Sequence, residues 1–181
     1  MGLAWAKCSG DNWSMAQVPA RPSMVEFHHY GISVRDLGRS VDFYCDILGG
    51  IVLLPPHSVD EFSFRRAVIS LSDSLGIDIN EYAMNTGEAF DPVRTGLDHL
   101  AFSVSSYDAL VAWADHLDAN GVDCSPLRNV EGVGEAFDFR DPDGIQIEFW
   151  HLDRGGRWNN HVKQTRNSPG SRGVPKRPQC R

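Results

Sequence analysis

His29-Tyr30-Gly31-Ile32-Ser33-Val34 and His99-Leu100-Ala101-Phe102-Ser103-Val104 are one pattern written twice, 70 residues apart (99 − 29). Each reads as a strand, because a strand sends successive side chains to opposite faces. In the first copy His29 shares a face with Gly31 and Ser33; in the second His99 shares one with Ala101 and Ser103. The opposite faces carry Ile32 and Val34, then Phe102 and Val104. Each strand therefore has an apolar face to pack and a roomier face that bears a histidine. An internal repeat of this kind decides the architecture before any other feature is read.

Working outward, a helix follows each strand. Val41, Tyr44, Cys45 and Leu48 recur at helical spacing, as do Leu110, Trp113, Ala114 and Leu117. Glycines mark the ends, Gly49-Gly50 in one copy and Gly121 in the other. Strands are then expected over Phe62–Ser72 and Gly76–Tyr82, and over Gly134–Arg140 and Ile145–His151. Asp141-Pro142-Asp143-Gly144 is a hairpin turn by its chemistry. Each copy reads β-α-β-β-β, an α+β fold of two tandem βαβββ modules. Module one spans 24–83, a linker 84–96, and module two 97–153. Residues 1–23 mix Gly, Ser, Pro and isolated Trp without periodicity and are expected to form a loose leader. Residues 154–181 are basic, rich in Gly, Pro and Asn, and nearly free of large aliphatics. Such a tail buries too little to offset ordering entropy and is expected to be disordered.

The net charge of −7 disfavours a nucleic-acid partner. Cys8, Cys45, Cys124 and Cys180 form no C-x-x-C pair, which points away from a disulfide scaffold or zinc knuckle and fits a reducing cytoplasm. No apolar run reaches membrane-spanning length, and no secretory pattern is visible in the first residues.

On the last strand Gln146, Glu148 and Trp150 share a face, and Ile145, Ile147 and Phe149 share the other. A carboxylate among such neighbours in a central strand is costly unless it is paired or bound to a metal. If the modules pack about a pseudo-twofold axis, His29 and His99 converge and Glu148 joins them. Two imidazoles and one carboxylate with open positions suit one divalent metal: Fe, Mn, Ni or Zn. The open positions admit a chelating substrate.

Three segments carry a resemblance to a known family. They are His29-x4-Val34-x-Asp36-Leu37-x2-Ser40-x2-Phe43-Tyr44-x3-Leu48-Gly49, Gly96-Leu97-Asp98-His99-Leu100-Ala101-Phe102, and Phe139-Arg140-Asp141-Pro142-Asp143-Gly144-x3-Glu148. In that order they resemble the vicinal oxygen chelate superfamily of glyoxalases, bleomycin-resistance proteins and extradiol dioxygenases. The resemblance implies a cupped mixed sheet around one metal site, with His29, His99 and Glu148 on three of the family's four ligand positions. It also implies a homodimer. Aligning Gly76 with Gly144 puts Asn80 at the fourth position, and a slip of two residues puts Asp78 there instead. Glu81 points the other way in a regular strand. Extradiol enzymes carry a His and a Tyr ahead of the D-P-x-G turn; here those places hold Asn129-Val130-Glu131 and Asp138.

The resulting expectation is a metal-dependent enzyme of lyase or isomerase type, acting on a small oxygenated substrate chelated to the metal. The alternatives are an Fe(II)-dependent dioxygenase and a metal-free drug- or metabolite-binding resistance protein. Glu148, or Glu131 and Glu135 in the loop Asn129–Glu135, are the proton-transfer candidates. Tyr82, Trp150 and Asn80 are the candidate substrate contacts. His28 is read as a structural residue on the packed side, and His57, His116 and His161 as surface residues. His151 has the wrong strand parity for a ligand.

Overall fold

The computed structural model describes residues 3–7, 13–17 and 27–152, with side chains described over 27–152. The expected disordered tail and His161 lie outside the described residues. Module one consists of β3 (His29–Ser33), α1 (Leu37–Asp42), β4 (Ile51–Val59), β5 (Phe64–Ser72) and β6 (Leu75–Tyr82). Module two consists of β7 (Leu100–Ser103), α2 (Tyr107–Ala119), β8 (Arg128–Val130), β9 (Gly134–Arg140) and β10 (Gln146–Leu152). Each forms a four-stranded mixed sheet, in the orders β3-β6-β5-β4 and β7-β10-β9-β8. The first strand of each module runs parallel to the last, and the remaining neighbours are antiparallel.

The 70-residue offset extends to the helix starts. Asp36 caps α1 by accepting from the Arg39 N–H, and Ser106 caps α2 by accepting from the Ala109 N–H. It extends also to the strand ends: the Val34 N–H donates to the Asn80 carbonyl, and the Val104 N–H to the Trp150 carbonyl. One core serves both modules. Ile32, Val34, Leu37, Tyr44, Ile77 and Ile79 pack in the same cluster as Leu110, Phe137, Ile147 and Phe149. Of the faces read as apolar, Ile32 and Val34 and Ile145, Ile147 and Phe149 are buried, while Phe102 and Val104 are partly so.

Four local features depart from the sequence expectation. Within the stretch expected to be a loose leader, β1 (Leu3–Lys7) pairs antiparallel with β2 (Trp13–Gln17). The first helix gives way to a π-helical turn, Phe43–Ile47. That wider turn keeps Leu37, Ser40 and Tyr44 fully buried while Val41 and Cys45 are only partly so. β4 carries Pro55-Pro56 and interrupts the period-2 pattern with register shifts against β5. His28 is exposed rather than packed, because it precedes β3 and strand alternation does not reach it.

The Asp141–Gly144 turn locks the modules together. Asp141 Oδ1 accepts the backbone N–H groups of Asp143 and Ile145 at 2.9 and 2.8 Å, while Oδ2 accepts the Tyr44 hydroxyl at 3.1 Å. Asp143 Oδ1 accepts Arg35 Nε at 2.5 Å and Arg39 at 3.2 Å, and Oδ2 accepts the Ser40 hydroxyl at 3.3 Å. Both carboxylates are buried, and every side-chain partner comes from module one.

Candidate metal centre

Strand pairing fixes which side chains share the roomy faces. Glu148 lies opposite Ala101 on one side and Asp138 on the other, and Trp150 opposite Ser103 and Ala136. The face of module two therefore presents His99, Glu148, Trp150 and Asp138. His99 and Glu148 are brought together, with Nε2 3.9 Å from Oε2. They line one cavity of about 370 Å³ with Trp150, Val130 and Val133. Asp98 Oδ1 sits 2.7 Å from His99 Nδ1. A proton held on Nδ1 by that carboxylate leaves Nε2 with its lone pair on the Glu148 side, the arrangement that orients a ligating imidazole.

Glu148 is 8% exposed, so its charge needs partners. Oε1 accepts Arg128 at 3.0 Å and Gln146 Nε2 at 3.2 Å, and Oε2 accepts Trp150 Nε1 at 2.7 Å. Arg128 also pairs with Asp138 and lies 5.6 Å from the centre of the Trp150 ring. Asp138 accepts the Ser125 hydroxyl at 3.0 Å. Arg128 is not singled out by the sequence, and Asp138 is read there only as the residue at the extradiol Tyr place. The signal for Asp138 was its position opposite Glu148 across the D-P-D-G hairpin.

In module one, His29 lies opposite Gly76, Gly31 opposite Asp78, and Ser33 opposite Asn80. Because Glu148 lies opposite Ala101, the equivalent of Glu148 is Asp78, and Asn80 is the equivalent of Trp150. The alignment that placed Asn80 at the fourth position is corrected by the register, and the two-residue slip holds. Its cause is turn length: two residues, Asp73 and Ser74, join β5 to β6, whereas Asp141–Ile145 join β9 to β10. Asp78 is gripped by Arg66, with Nε to Oδ1 at 2.7 Å and Nη2 to Oδ2 at 2.8 Å. His29, Arg66 and Asp78 line a second cavity of about 280 Å³. His29 Nδ1 lies 2.7 Å from His28 Nδ1.

The remaining candidates are distributed as follows. Tyr82 is exposed, packed against Phe64 with tilted rings 5.1 Å apart between centres, and has the strand parity of Asp78 and Asn80. Asn80 donates to its neighbour's carbonyl, that of Asp78, at 3.3 Å. Glu131 is exposed in the turn between β8 and β9. Glu135 lies opposite His151 on the packed-face parity and pairs with it at 3.1 Å, so it points away from Glu148. Glu81 takes Arg65 and the Leu37 N–H. Among the described residues no three metal-capable side chains cluster within one chain. His99 and Glu148 supply two donors, and His29 stands in the other module's cavity.

A family model described as Glyoxalase/Bleomycin resistance protein/Dioxygenase superfamily matches residues 26–149. The chain is 32% identical over 126 residues to the uncharacterized protein YaeR of Escherichia coli, covering 69% of this chain and 95% of that one. It is 28% identical to the lactoylglutathione lyase GLX1 of Arabidopsis thaliana, over 71% of this chain and 44% of that one. The crystal structure of a glyoxylase/bleomycin resistance protein/dioxygenase domain from Frankia sp. EAN1pec superposes with a TM-score of 0.66. That pair is 30% identical, and the match covers 72% of this chain and all of the other.

Proposed function

The chain belongs to the glyoxalase/bleomycin resistance protein/dioxygenase superfamily, and from that premise we propose that it is a metal-dependent enzyme of lyase or isomerase type acting on a small oxygenated substrate. The observation that carries the reading is the approach of His99 Nε2 to Glu148 Oε2, 3.9 Å apart, with Asp98 orienting the imidazole. A neutral imidazole and a buried carboxylate are the donor types a borderline divalent cation takes, so the residues present fit the group. His29 completes the set, supplied by a second copy of the chain in a homodimer. Strand β4 supports that assembly: it is an open sheet edge with Ile51 68% and Leu53 64% exposed, a surface prone to self-association.

A bound divalent cation would polarise vicinal oxygens and stabilise an oxyanion. The chain's own groups do the rest. His29, His99 and Glu148 would hold the cation and leave positions for the substrate. Trp150, Val130 and Val133 exclude water on the module-two side. Asp138 keeps Arg128 beside Glu148. Glu148, or Glu131 in the exposed turn after β8, is the proton-transfer candidate; Glu135 is turned toward His151.

One observation favours a second reading, a metal-free binding protein: Arg128 already neutralises Glu148. Metal analysis separates the two. Protein purified without added metal is expected to carry a divalent metal, and His99→Ala to lose it. Equal metal content in wild type and variant, whether high or near zero, would reject the enzyme reading.

A further inference from the structure

The two carboxylates at the pseudo-equivalent positions are not held alike. Asp78 has both oxygens engaged by one guanidinium, Arg66 Nε on Oδ1 and Nη2 on Oδ2. This fork-to-fork pairing is the strongest geometry available to a carboxylate and an arginine. No other partner of the Arg66 guanidinium appears among the described residues. Glu148 is held otherwise. Arg128 touches only Oε1, by Nη2, while its Nη1 is committed to Asp138 and its plane lies near Trp150. If Glu148 turns to a cation, Arg128 keeps Asp138. If Asp78 did the same, Arg66 would lose its carboxylate outright.

We infer that Arg66 is a positioning residue that withholds Asp78 from the metal, so that the site takes three protein ligands rather than four. This rests on the metal-centre reading above. Asp78 stands where Glu148 stands in the other module, one strand from His29 and in its cavity. Its position suits coordination, and the ion pair removes it. The consequence is an extra open position at the cation, available to a chelating substrate.

The test uses Co(II) alone on metal-stripped, full-length protein, read by its visible spectrum and by titration calorimetry. Wild type is expected to show a three-ligand site, and Asp78→Asn to bind Co(II) within about twofold of wild type. Arg66→Met should free Asp78, change the Co(II) spectrum and tighten binding about ten- to a hundredfold, the range over which outer partners tune a metal. Arg66→Met combined with Asp78→Asn should return spectrum and affinity to the wild-type values. A purely structural role for Arg66 would weaken binding or leave it unmoved, and the double variant would then restore nothing. An unchanged spectrum and affinity in Arg66→Met, or a loss in Asp78→Asn as large as that in His99→Ala, overturns the inference while the metal centre stands. Wild-type protein that binds no Co(II) overturns both. Should Arg66→Met fail to fold, Arg66→Lys, which offers one point contact in place of the fork, carries the same expectation in smaller degree.

Discussion

Burial raises the Asp141 carboxyl above the ordinary aspartate value, even though Tyr44 and two backbone N–H groups favour its charged form. The native state therefore binds this proton more tightly than the unfolded chain does. Its contribution to stability is complete below the unfolded value, about 4, and is lost as pH rises through the folded value. Asp141→Asn keeps an acceptor for the backbone and removes the titration. Its stability should gain on wild type as pH rises above the ordinary aspartate value of about 4, measured by urea midpoints at a series of pH values. A gap that stays constant with pH would show that Asp141 does not titrate as described. Tyr44→Phe leaves the same carboxylate one donor short in a buried place and should cost about 2 kcal/mol at neutral pH. Burial raises the Tyr44 hydroxyl too, followed by the influence of Asp141, so it stays protonated as the donor.

At the scale of elements, β9 enters its sheet through Gly134, which holds a positive φ of 145°. A Cβ there would fall 2.0 Å from the His151 carbonyl oxygen on β10, and a backbone oxygen cannot move aside cheaply. Gly134→Ala should therefore destabilise by about 3 kcal/mol or more, seen as a lowered thermal midpoint. An unchanged midpoint would mean that β9 and β10 do not approach as closely as described. The repeat, both first strands and the D-P-D-G hairpin were legible because each is local: alternation, helical spacing and turn chemistry act over a few residues. His99 and Glu148 were legible for the same reason, as odd polar groups on otherwise readable strands. What escaped was non-local. Asp78 and Asn80 have the same strand parity, and only the parallel pairing of β3 with β6 chooses between them. Arg128 lies on a three-residue strand too short for a pattern. Strand β4 hides its identity behind Pro55-Pro56. Glu135 reads as a loop carboxylate although the expected strand Gly134–Arg140 already contains it; what escaped was its non-local partner, His151 on β10.

At the scale of the whole molecule, the question is which histidine meets which glutamate. Within one chain His99 and Glu148 share a cavity and His29 lines another. A site completed by a second copy takes His29 from one chain and the His99–Glu148 pair from its partner. A twofold dimer then has two identical sites, each drawing on both chains. Mixing two defective variants distinguishes this from a site within one chain. In a hybrid dimer of His29→Ala and His99→Ala chains, one site carries both lesions and the other carries neither. Statistical exchange makes about half of the dimers hybrids, so about a quarter of all sites should regain metal. Each variant alone should regain none. The readout is metal content after the two variants are co-expressed or allowed to exchange subunits. If His29 met His99 and Glu148 inside its own chain, every chain in the mixture would stay damaged and metal content would not recover.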